Sequence, residues 1–77
     1  MELSLFDERD FLRRNWHILV PGMKARWERL SEEDYLQIAG DWDELAAHLM
    51  LNYQSTALQA ENEIRRFLGM KQDGDQT

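Results

Sequence analysis

The chain has 77 residues with 43% apolar and 31% charged side chains, which leaves room for one small domain with one core and excludes a multi-domain enzyme. Fifteen Asp and Glu against nine Lys and Arg give a net charge of −6, so a phosphate backbone is repelled on average. The absence of cysteine removes both a disulfide framework and a thiolate zinc site.

Period-2 alternation never persists, and the pattern predicts an all-α fold. The first stripe runs through Leu12, Trp16, Leu19, Met23, Trp27 and Leu30 in steps of three and four residues. Pro21 lies inside it and lacks an amide hydrogen, so a helix from about Asp7 to Leu19 is expected to end there. Pro21 would then open a second helix reaching about Arg29. Ser31, followed by Glu32, Glu33 and Asp34, signals the start of a third, brief helix closed by Gly40. Asp41 caps a fourth, with Leu45, Ala46, Leu49 and Tyr53 on one face. Ser55 is expected to cap a fifth helix bearing Ala57, Ala60, Ile64, Phe67 and Leu68, with Gly69 as its stop. Residues 69–77, rich in charge and poor in apolar groups, read as a disordered acidic tail.

Four to five short helices cannot make a long parallel bundle, and a compact domain of two roughly orthogonal α-hairpins is the expected packing. Its expected core is Leu12, Trp16, Leu19, Met23, Trp27, Leu30, Ile38, Leu45, Leu49, Tyr53, Ile64 and Phe67.

One ordered set of residues carries a further reading. It comprises Asn15-Trp16 and Leu19, Trp27-x-x-Leu30-Ser31-x-x-Asp34, Ile38-x-Gly40 and Leu45, Leu49-x-x-x-Tyr53, and Ala60-Glu61-x-Glu63-Ile64-x-x-Phe67. In this spacing residues 12–68 resemble the CsbD-like family of small bacterial stress-associated proteins, with residues 1–11 as an N-terminal extension leading into the first helix. The resemblance implies a compact domain of two α-hairpins, a link to general stress responses, and no enzymatic activity, cofactor or catalytic residue. The chain departs from the family at Pro21, Glu28 and Gln54, which stand where glycine is usual. Ile18, Val20, Trp42, Met50, Leu51 and Leu58 stand where polar residues are common.

Those departures make the fourth helix the place to look for function. Trp42, Ala46 and Met50 form a second apolar line beside the core stripe, and Leu51 widens it. Either the N-terminal extension, with Leu3, Leu5, Phe6 and Phe11, folds back over this line, or another protein or a second copy of the chain binds it. The favoured expectation is a non-enzymatic protein acting by protein–protein contact through Trp42, Met50 and Leu51.

The alternative is a nucleic-acid-associated module using Arg13 and Arg14, Arg26 and Arg29, and Arg65 and Arg66, if the fold gathers these pairs into one patch. The negative net charge makes a nucleic acid an unlikely partner. His48 with Glu44 and Asp41 suggests a weak metal site, but a solvated Glu–His pair is the commoner meaning and no metal is expected. Ser4, Ser31 and Ser55 lack a convergent imidazole and carboxylate. With neither a membrane-spanning stretch nor a signal-peptide pattern, no membrane association and a cytoplasmic location are expected.

Overall fold

The computed structural model describes residues 7–69, and the expected roles of Leu3, Leu5, Phe6 and residues 70–77 fall outside it. Among the described residues the protein is all-helical: α1 (Glu8–Arg14), α2 (Trp16–Arg26), α3 (Glu32–Ile38), α4 (Trp42–Tyr53) and α5 (Ala57–Phe67).

The first break falls at Asn15, not at Pro21. Asn15 sends both its backbone amide (3.1 Å) and its side-chain amide (2.9 Å) to the Phe11 carbonyl, which closes α1. Its own carbonyl accepts from Ile18 and Leu19, both at 3.0 Å, which opens α2. Pro21 therefore sits within α2 and removes the amide that would have reached the His17 carbonyl. Both residues lie on the exposed side, where water can replace the lost donor. An interior proline costs about 3 kcal/mol, yet the helix continues because Trp16 and Met23, seven residues apart, must both face the core.

The later helices start from local signals. The Ser31 hydroxyl accepts from the Asp34 amide (3.1 Å) while the Asp34 carboxylate accepts from the Ser31 amide (2.8 Å). Asp41 caps α4 through the Glu44 amide at 3.1 Å. For α5 the cap is Thr56, one residue beyond the expected Ser55, because Gln59 stands three residues later and closes a reciprocal pair at 3.1 and 2.9 Å.

The connections between α3, α4 and α5 are tight. Ala39 and Gly40 follow α3 with φ of 46° and 84°, and Gln54 follows α4 with φ of 53°. Left-handed backbone favours glycine, so Gln54 holds this turn at some strain. Gly40 also allows close packing, since a Cβ there would lie 3.2 Å from the Arg13 Cα and 3.5 Å from the Trp16 Cβ.

Helix α4 packs against α5, α3 and α1, at the centre of a compact all-α domain of five short helices. Leu12, Met23, Ile38, Leu45 and Ile64 are completely enclosed around this helix. Trp16 tilts against Tyr35 and Trp27 against Phe67, with ring centroids 6.3 and 5.3 Å apart. Tyr35, Trp42, Ala46 and Ala60 join the core beyond those expected, while Leu19, Tyr53 and Phe67 pack at its margin. α1 begins at Glu8 with Asp7 as its cap, where the first helix was expected to start.

Candidate functional site

Trp42 occupies the first position of α4 and is only 2% exposed, so it is not part of a partner surface. The physical reason lies in two guanidinium groups. Arg9 of α1 and Arg65 of α5 lie over the indole at 5.8 and 5.5 Å from its ring. Each is fixed by a carboxylate: Arg9 meets Asp43 at 3.0 Å, and Arg65 grips Glu8 through two bonds of 3.0 and 2.9 Å. The first turn of α1 thus lies over the upper end of the second apolar line through Arg9 and Glu8, whereas Leu3, Leu5 and Phe6, on which the fold-back account rested, lie outside the described residues.

The lower end of that line is open. Ala46 is buried and Met50 half-buried, but Leu51 is 78% exposed and Leu58, near the start of α5, is 66% exposed. Of the expected partner residues, Met50 and Leu51 therefore remain at the surface while Trp42 does not. Leu58 was visible in the sequence as an apolar departure, but its place near the α4–α5 turn was needed to associate it with Leu51. Ile18 and Leu36 are also exposed, on α2 and α3. Val20, Pro21 and Leu36 border a cleft of about 430 Å³ whose wall includes Trp16 and Tyr35.

The arginine pairs are largely engaged by carboxylates. Arg13 and Arg14 share Asp10, at 3.9 and 3.2 Å. Arg26 and Arg66 share Glu63, at 2.9 and 3.7 Å. Arg29 donates to the Asn52 carbonyl at 3.2 Å and lies over the Tyr53 ring, while its backbone amide donates to the Tyr53 hydroxyl at 3.0 Å. The fold brings Arg26 and Arg66 together around an acid, and it uses Arg29 to dock the α2–α3 loop on the end of α4. Arg13, Arg14, Arg26 and Arg66 each have a carboxylate partner, and Arg29 a carbonyl and a ring.

The polar groups with chemical potential are occupied structurally. His48 Nδ1 lies 2.8 Å from the Glu44 carbonyl, which only accepts, so this nitrogen carries hydrogen. Its Nε2 faces Gln37 Oε1 at 3.4 Å and Asp34 Oδ1 at 3.8 Å, joining α4 to α3. Asp41 is committed to its cap, and no cluster of three metal-ligating side chains occurs among the described residues. Burial, with smaller contributions from the charges of Tyr53 and Asp34, pushes the Tyr35 hydroxyl up to about 12. It stays protonated and donates to the Trp27 carbonyl at 3.2 Å.

No helix among the described residues is long and apolar enough to cross a membrane. Comparison with protein-family models, curated proteins and solved structures finds no match.

Proposed function

We propose that this protein is a non-enzymatic interaction module that acts by protein–protein contact through the lower end of α4, at Met50 and Leu51 with Leu58 beside them. One observation carries the reading: two large leucines stay exposed near a tight helical turn while every tryptophan is enclosed. Exposed apolar groups grouped on a rigid helical element are the usual core of an interface. The structural employment of Ser31, Asp41 and His48 supports a non-enzymatic role. The order of residues shared with the CsbD-like pattern supports a stress-associated protein of the bacterial cytoplasm, with no cofactor.

A photo-crosslinking residue at position 51 tests this in living cells before and after general stress. The expected result is a discrete protein adduct that increases under stress and is lost on Leu58→Asp. No adduct, or the same adduct from position 33 on the exposed side of α3, refutes the interface.

A further inference from the structure

A second cleft, of about 590 Å³, opens between the end of α2, the second half of α4 and the first half of α5. Its floor is apolar, formed by Trp27, Leu49 and Ala60. Its rim is polar, and the capping of α5 decides its character. Because Thr56 caps that helix, the Ser55 hydroxyl at the cleft is left with no hydrogen-bond partner among the described residues. The same cap orients Gln59, whose Oε1 accepts from the Thr56 amide at 2.9 Å, so its Nε2 hydrogens are left to donate. The Tyr53 hydroxyl accepts from the Arg29 amide at 3.0 Å, which leaves its own hydrogen without an acceptor among the described residues.

The charge in the wall leans the same way. Glu63, the one acid lining the cleft, is held by two guanidinium groups, Arg26 at 2.9 Å and Arg66 at 3.7 Å. Arg26 gives Glu63 one nitrogen and lies over the Trp27 ring, 5.8 Å from its centroid. Two hydroxyls, a carboxamide and a guanidinium therefore border an apolar floor, with donors in excess of acceptors. An apolar cavity of this size with a few convergent polar groups is the usual form of a small-molecule site. The net charge of −6 then selects among acceptor-bearing ligands, because a monoanion can be met by local donors whereas a polyanion is repelled by the whole chain.

We propose that this cleft binds a small monocarboxylic acid with an aromatic or aliphatic body. The carboxylate lies on the Tyr53, Ser55 and Gln59 donors beside Arg26, and the body lies on Trp27, Leu49 and Ala60. Met50, Leu51 and Leu58 do not line the cleft, so this site stands or falls apart from the interface reading above.

Phenylpropionate, phenylpropionamide and phenylpropylamine share one apolar body and differ in charge, which makes them the probes. In an NMR titration of the full chain, phenylpropionate should shift the Leu49 and Ala60 methyls and the Gln59 carboxamide saturably, with a Kd of about 1 mM, and spare Leu36. The amide should bind about tenfold more weakly, and the amine should not bind. Ser55→Ala removes a hydroxyl that holds nothing else in the fold, so it should weaken phenylpropionate about fivefold with an unchanged urea midpoint. No saturable shift at about 10 mM phenylpropionate overturns the site. Equal shifts from all three probes overturn the carboxylate, and full affinity in Ser55→Ala overturns the donor rim.

Discussion

Replacing Trp42 by alanine separates a core indole from a surface one. The side chain is 2% exposed beneath Arg9 and Arg65, so its removal leaves a cavity between α1, α4 and α5. Truncating a buried tryptophan costs about 3–5 kcal/mol, and each cation over the ring adds about 0.5–1 kcal/mol. A chain of 77 residues has a total stability of about 4–12 kcal/mol, so Trp42→Ala should remove a large part of it. Urea unfolding followed by circular dichroism at 222 nm reads the loss directly. With a slope of about 1 kcal/mol per molar urea, the midpoint falls by about 4–7 M, or the variant is unfolded without denaturant. Leu51→Ala, at an exposed position on the same helix, should change stability by less than about 0.5 kcal/mol. A loss below about 1 kcal/mol for Trp42→Ala would mean that the indole is hydrated, and the reasoning would fail.

Three further outcomes follow from particular positions. Gln54→Gly should stabilise the protein by about 0.5–1 kcal/mol, because it relieves a side chain held at φ 53°; a lower urea midpoint would refute this. Gly40→Ala should destabilise by about 1–3 kcal/mol, since the new Cβ has positive φ and meets the Arg13 backbone at 3.2 Å, and an unchanged melting curve would refute it. Tyr35 holds its proton to about pH 12 when folded and only to about 10 when unfolded. Its contribution is therefore complete below pH 10 and is lost as pH rises toward 12, at about 1.4 kcal/mol per unit. Urea midpoints should fall over this window and fall less steeply in Tyr35→Phe; identical slopes would refute the assignment.

The features legible in the sequence were those decided within a few residues. Ser31 with Asp34 and Asp41 with Glu44 each bring donor and acceptor together in one turn, so the starts of α3 and α4 follow from spacing alone. Thr56 with Gln59 carried the same signal, one residue past the more obvious Ser55. Pro21 misled because its local preference is opposed by the requirement that Trp16 and Met23 share the core, and that requirement acts only after folding. The enclosure of Trp42 by Glu8 and Arg65 was not legible, since they are 57 positions apart and no local pattern joins them. The partners of the arginines were legible only in part: Asp10 with Arg14 and Glu63 with Arg66 follow from helix spacing, whereas Glu63 reaches Arg26 only through helix placement. Tyr35 was missed because its stripe includes Trp16 and Trp27, which lie on another helix.

The central claim is that the first turn of α1 and the side of α5 enclose the α4 indole, so that the second apolar line of this helix reaches the surface only at its lower end. Fluorotryptophan labelling with a neutral gadolinium chelate tests it in one spectrum. Relaxation by the chelate should be weakest for Trp42, intermediate for Trp27 and strongest for Trp16, following exposures of 2%, 4% and 9%. A Trp42 signal relaxed more strongly than the other two would contradict the account.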